Sequence, residues 1–146
     1  MTAWTIADVW EAIAGAQPDR PAHIHGDRVV SFWWNRLPGT DDQNHSLASF
    51  TSDVLVLVVS CNHCPYVIAY EERMVALARE YGAKNVGWMA VNANDATRYP
   101  DDGMQPMKIR ARERSFPFAY VRDDTQAFTR TLGARFTPEL FVFDKE

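Results

Sequence analysis

The chain holds two cysteines, Cys61 and Cys64, and they share a single Cys-x-x-Cys. A structural zinc site commonly takes four ligands from two such pairs, or from a Cys pair and a His pair at helical spacing, and here the second pair is missing. A disulfide spanning two intervening residues removes little loop entropy from the unfolded chain, so stapling is a weak use for these thiols. Redox exchange is the chemistry that suits the pair: one thiolate attacks a disulfide and the neighbour three residues on resolves the mixed disulfide.

The surrounding elements place that chemistry. Val54-Leu55-Val56-Leu57-Val58-Val59 reads as a strand buried on both faces, as in the middle of a parallel sheet. After Cys61-Asn62-His63-Cys64-Pro65 the period becomes helical, with Val67, Tyr70, Met74, Leu77 and Tyr81 on one stripe, Glu71 off it, and Gly82 at the stop. Cys61 is therefore expected where a buried strand meets a helix N-terminus, whose free N–H groups and dipole lower a thiol's pKa from about 8.5. Asn62 is expected to cap the helix, and Pro65 fits its first turn. Val86 to Val91 forms the next strand, giving one βαβ unit. Asn92 to Gly103 reads as a polar, turn-rich insertion. Met104 to Arg114 reads as a helix with Pro106 in its first turn and Lys108 to Arg114 on a solvated face. A strand over Phe118 to Val121 follows. Asp123-Asp124-Thr125 then caps a brief helix ending at Leu132-Gly133, and Leu140 to Asp144 is a last strand.

Composition narrows the partners. The 146 residues are 47% apolar and 23% charged with a formal charge of −4, which describes a globular chain. Lys and Arg are not clustered, so neither nucleic acid nor an anionic membrane is expected as a partner. No apolar run approaches the roughly 20 residues of a membrane span, and the chain is read as cytoplasmic. No Ser-His-Asp arrangement, glycine-rich phosphate loop or metalloprotease motif is present, and no cofactor is expected. Trp88 and the other tryptophans read as packing residues.

Cys61-Asn62-His63-Cys64-Pro65-Tyr66-Val67, Asn94-Asp95, Tyr99-Pro100, Phe116-Pro117-Phe118 and Thr137-Pro138-Glu139-Leu140-Phe141-Val142-Phe143-Asp144 fall in order. Together they resemble the redoxin branch of the thioredoxin superfamily, and more narrowly the peroxiredoxin-like proteins of the alkyl-hydroperoxide-reductase and thiol-specific-antioxidant type. The resemblance implies an α/β thioredoxin-like fold, a mixed central sheet flanked by helices, with the Cys pair at a helix N-terminus. It also implies Cys61 as attacking thiol, Cys64 as resolving thiol, and Thr137 and cis-Pro138 facing the pair, acting on protein or small-molecule disulfides and thiols. A true peroxiredoxin carries Pro and then Thr or Ser ahead of its peroxidatic Cys. The corresponding positions are Val54 and Val58 counted from Cys61, or Leu57 and Cys61 counted from Cys64. Efficient peroxide reduction is therefore not expected. His63 resembles the motif histidine of disulfide isomerases and oxidants; beside Cys61 it should favour the thiolate and raise the potential above thioredoxin's roughly −270 mV. The fold's final strand and helix have no counterpart before Glu146, so the chain is read as incomplete there, with strand 140–144 an exposed edge on which two copies would pair.

Residues 1–35 form a separate expectation, a helix-plus-hairpin extension ahead of the thioredoxin-like domain at 36–146. Thr5 and Asp8 open an amphipathic helix, and Ala22 to Phe32 reads as a hairpin around Gly26-Asp27. Pro18-Asp19-Arg20-Pro21-Ala22 and His25-Gly26-Asp27-Arg28 resemble the opening of adenylate-forming acyl-activating enzymes. No nucleotide loop follows, so ligase activity does not carry over, and a seam between the two parts is expected near Trp33-Trp34. Two alternatives stay open: a metal-binding module in which His23, His25 and His45 join Cys61 and Cys64, and a redox-silent interaction domain.

Overall fold

The computed structural model describes residues 36–144. The expectations for residues 1–35, including the capped helix, the hairpin, His23, His25 and the seam, lie outside the described residues.

Leu37–Pro38 (β1) and Asn44–His45 (β2) form a short antiparallel hairpin. Val54–Ser60 (β3), Pro65–Gly82 (α1) and Val86–Asn92 (β4) form the expected βαβ unit, with β3 and β4 parallel over their whole length. Met104–Glu113 (α2) leads to Ala119–Arg122 (β5), Ala127–Leu132 (α3) and Glu139–Asp144 (β6). The four-stranded sheet runs β5-β4-β3-β6, with β5 parallel to β4 and β6 antiparallel to β3. Gly39 bridges to Val121, and the Thr40 N–H donates to the Tyr120 carbonyl, so the β1–β2 loop covers the outer side of β5. Among the described residues β6 is the other edge strand of this sheet.

The period of two along β3 divides the core. Leu55, Leu57 and Val59 face Met89, Val91, Val121, Phe128, Leu132 and Phe143 on one side. Val56 and Val58 face Val67, Met74, Ala78, Trp88, Ala90 and Met107 on the other. Burying each such side chain stabilises the fold by about 1.5–3 kcal/mol, which makes β3 the rigid element from which the cysteines hang. Among the described residues no helix is long and apolar enough to cross a membrane.

Helix α1 is rotated relative to the expected stripe. Its buried positions are Val67, Glu71, Met74, Val75 and Ala78, while Tyr70 and Tyr81 are exposed. The tyrosines lie at the surface beneath cations of their own neighbourhood, Arg73 over Tyr70 at 5.8 Å and Lys84 over Tyr81 at 4.4 Å. Glu71 turns inward because α2 supplies its counter-charges, Arg110 Nε at 2.5 Å and Arg114 Nε at 3.1 Å. The run Lys108 to Arg114 is thus only partly a solvated face, since Lys108 also pairs with Asp42 of the hairpin loop. Glu71→Ala leaves a largely buried Arg110 without its carboxylate and should destabilise the fold by about 2 kcal/mol in urea unfolding, discounted because Arg114 is half exposed.

Two of the three residues expected to cap α3 do so: Asp123 accepts the Thr129 N–H at 2.9 Å and its hydroxyl at 3.0 Å, and the Thr125 hydroxyl accepts the Ala127 N–H at 3.2 Å, while Asp124 instead pairs with Arg122. Gln126 holds the left-handed conformation at the helix start.

Candidate functional site

The parallel strands β3, β4 and β5 end in register, Ser60 beside Asn92 and Asn92 beside Arg122. Carboxyl ends of parallel strands leave a crevice in α/β sheets, and this is where the chain gathers its polar side chains. Cys61 follows β3 directly and is 1% exposed. Cys64 is the N-cap of α1, half-buried, with Pro65 at the first helical position. Both thiols are free. Thr137 faces the pair from the loop before β6: its hydroxyl is 3.4 Å from Cys61 Sγ, and its carbonyl is 3.4 Å from Cys64 Sγ. The Thr137-Pro138 bond is cis, as expected.

The acidity of the two thiols reverses the expectation. Burial pushes Cys61 above the ordinary thiol value, and the Asp102 carboxylate adds to this against hydrogen bonds from Thr137 and the Cys64 N–H. Cys64 is also penalised by burial, but the Val67 N–H, Thr137, the Tyr66 N–H and the Cys61 thiol outweigh it and hold Cys64 below the ordinary value. The physical reason is one of position. The free N–H groups of a helix point at its N-cap, and the N-cap is Cys64, three residues beyond the cysteine expected to receive them.

Asn62 does not cap α1. Its side chain donates to the Asp101 carbonyl at 2.7 Å and accepts from the Tyr120 hydroxyl at 3.0 Å, and its backbone N–H donates to Asp102 Oδ1 at 2.5 Å. His63 is likewise turned away from the role of an isolated cation. Its Nδ1 lies 2.5 Å from Asp102 Oδ2, and its ring stacks on Tyr99 at 4.3 Å and 8°. The carboxylate behind His63 adds to the burial that already opposes a thiolate at Cys61.

Asp102 is the residue that sequence reasoning missed. It is fully buried in a short 3-10 turn, Pro100–Asp102, inside the segment read as a polar insertion. Its two oxygens accept from Asn62 N, Asn92 Nδ2, Asn94 Nδ2 and His63. Burial raises its pKa, but the Asn62 N–H, Asn94, Asn92 and His63 together hold it below the usual carboxylate range. Arg122, 4% exposed, fastens the same segment through the Asp102 carbonyl at 2.7 Å, the Asn94 carbonyl at 2.5 Å and Asn92 Oδ1 at 3.4 Å. The sequence signals only the surroundings of Asp102: each parallel strand closes on a polar residue, Ser60, Asn92 or Arg122.

Metal binding gains little from this geometry. Among the described residues the ligating atoms within 4.8 Å of one another belong to Cys61, His63 and Asp102, a set that excludes His45. His45 is instead paired with Asp41 at 2.9 Å. The Asp102 oxygens already accept four hydrogen bonds, so an ion there would have to displace His63 or an amide.

A βαβ core with an antiparallel fourth strand, a Cys-x-x-Cys at the strand-to-helix junction and a cis-proline loop facing it define a thioredoxin-like α/β protein. The chain belongs to the redoxin family, whose model matches residues 24–146 and so begins ahead of Trp33-Trp34. It is similar in structure to an uncharacterized conserved protein from Geobacillus kaustophilus, with 37% identity and a TM-score of 0.74 over 75% of this chain and 59% of that one. A hypothetical protein from Sinorhizobium meliloti is similar at 27% identity and a TM-score of 0.75, over 77% of this chain and 62% of that one. A secreted disulfide oxidoreductase from Mycobacterium tuberculosis shares the fold at 10% identity, with a TM-score of 0.63 over 80% of this chain and 87% of that one. The chain thus spans about three fifths of the length of the first two. No curated protein matches it.

Proposed function

We propose that the protein is a thiol–disulfide oxidoreductase that exchanges a Cys61/Cys64 dithiol for a disulfide, with protein or small-molecule disulfides as substrates. The observation that carries this reading is the pair of free thiols held on either side of Thr137 at the mouth of a helix N-terminus. A thiolate stabilised by helix N–H groups destabilises the disulfide it would form, which supports a potential less reducing than roughly −270 mV. Neither Pro nor Thr stands in the positions a peroxidatic site needs, so peroxide should consume these thiols no faster than it consumes free cysteine.

The test is the dithiol–disulfide equilibrium across a series of glutathione buffers, read by alkylation mass shift on native protein. A two-electron transition between roughly −270 and −120 mV is expected. No defined transition, or only intermolecular disulfides, would sink the proposal. Rapid loss of thiols to hydrogen peroxide would replace it with a peroxidase reading.

A further inference from the structure

We propose that His63 is the proton carrier of the exchange reaction: it takes the proton of Cys61 as that thiol attacks and hands it to the departing sulfur, with Asp102 and Tyr99 as the positioning residues that hold its ring. The inference rests on the exchange reading above and adds a base to it. Its ground is the arrangement of three side chains from separate elements. Cys61 Sγ, a ring nitrogen of His63 and a carboxylate oxygen of Asp102 all lie within 4.8 Å of one another, a gap that one bridging water spans. Cys61 is 1% exposed, so its proton needs an acceptor inside the site. His63 is 34% exposed and joins the buried thiol to solvent.

The ring is held on an edge and on a face. Asp102 Oδ2 accepts from Nδ1 at 2.5 Å, which leaves the lone pair of the ring on its second nitrogen. Tyr99 stacks on the ring at 4.3 Å and 8°, and Arg98 lies over Tyr99 at 5.5 Å. Asp102 is a poor acceptor for the same proton, because its oxygens already take hydrogen bonds from the Asn62 N–H, Asn92, Asn94 and His63. It orients the imidazole, as the acid of a nucleophile–base–acid triad does. With the proton on the ring the charges alternate, carboxylate, imidazolium and thiolate, where a lone thiolate would face the carboxylate directly. The charged and titratable groups around His63 are thus Cys61, Cys64, Asp102, Tyr99 and Arg98, with the Tyr120 hydroxyl behind Asn62.

The chemistry balances without an outside reagent. The Cys61 proton moves to His63, and the thiolate, held by the Thr137 hydroxyl and the Cys64 N–H, attacks the substrate R–S–S–R′. The Cys61–S–S–R bond forms, the substrate S–S bond breaks, and R′–S⁻ leaves with the proton from His63. Cys64, as thiolate after giving its proton to water, then attacks Cys61 Sγ. The Cys61–Cys64 bond forms and R–S⁻ leaves to take a proton from water. The protein is oxidised and the substrate reduced by two electrons.

The test isolates the first step in full-length Cys64→Ser, where Cys61 is the remaining thiol, and reads the release of thionitrobenzoate from dithiobis(nitrobenzoate) against pH. Adding His63→Gln keeps an amide to donate to Asp102 but removes the base. At pH 7 it should cost about 100-fold in rate. The deficit should shrink to a few-fold by about pH 10, as hydroxide takes over the proton, and added imidazole should restore part of the rate at pH 7. Tyr99→Ala should show a smaller deficit of the same pH dependence, about 10-fold, and Tyr99→Phe, which keeps the stack, should recover the rate. The same His63→Gln comparison in the protein with both cysteines, which needs no Cys64 substitution to fold, should show the same pH-dependent deficit. A His63→Gln rate within a few-fold of its parent at pH 7, or a deficit equal at every pH and indifferent to imidazole, would overturn the proton-carrier role and leave the exchange reading intact. If the protein with both cysteines reacts no faster than free cysteine, the exchange reading falls and this role with it.

Discussion

Replacing Asp102 by alanine is expected to destabilise the protein by about 3–5 kcal/mol and to disorder the Cys-x-x-Cys loop. The size follows from what is left behind: a buried charged acceptor disappears, and the Asn62 N–H, the Asn92 and Asn94 amides and His63 Nδ1 lose their partner at once. Each hydrogen bond to a charged group contributes about 1.5–3 kcal/mol, and the losses overlap because all four donors share one site. Asp102→Asn should lose less, since its remaining oxygen still accepts from Asn62 while its new amide group meets His63 or Asn94 donor to donor. The pH dependence has a definite sign. A carboxyl whose folded pKa is depressed stabilises fully above its unfolded value of about 3.9, and that stability is lost as pH falls through the lower folded value. Urea unfolding at pH 7 and at pH 3 should therefore show a gap between the parent protein and Asp102→Asn that narrows in acid. A gap of the same size at both pH values would mean that Asp102 is not the ionised centre of this network.

The same residue shows where sequence reading stops. The strand over Val54 to Val59, the helix after Pro65 and the strand over Val86 to Val91 were legible because each is long, uniformly apolar or strictly periodic, and local pattern decides its form. Cys61 and Cys64 were legible because few other uses exist for an isolated Cys-x-x-Cys, Thr137 and Pro138 only through the family resemblance, and the structure brings Thr137 to both thiols. Asp102 was not, since nothing local distinguishes it from Asp95, Asp101 or any acid in a polar segment. Its burial depends on Asn62 arriving from 40 residues away and on Arg122 from the next strand. Glu71 was assigned to the wet face of α1 for a related reason. Helical period fixes which residues share a face, but here the counter-charges on α2 decide which way the carboxylate turns. Cys61 is less acidic than its strand-to-helix position implies because it is buried, and because the loop between strand and helix takes up three residues, so the helix N-terminus serves Cys64.

Arg122→Met should have the second largest effect, about 3 kcal/mol in urea unfolding, and should also slow disulfide exchange although Arg122 touches neither thiol. Its guanidinium is the buried link between the end of β5 and the segment that carries Asp102, donating to the Asp102 and Asn94 carbonyls and to Asn92 Oδ1. Methionine approximates the volume of the stem and so leaves no large cavity, but it strands the buried Asp102 carbonyl and takes the donor from the part-buried Asn94 carbonyl, while Asn92 Oδ1 keeps only the Asn94 N–H. The consequence for the site follows from connectivity. Arg122 helps to hold Asn92 Oδ1 and the Asn94 backbone while the two side-chain amides donate to Asp102, and Asp102 holds the backbone beside Cys61 through Asn62. Loosening that chain should let Cys61 sample the solvent, so native-state alkylation of Cys61 should rise by about 10-fold or more, the change expected for a loss above 1.4 kcal/mol in a local closing equilibrium. Alkylation of Cys64, set by the N-terminus of α1, should change little. Equal acceleration at both cysteines would indicate general unfolding, and the network would then hold the domain together without specifically holding Cys61.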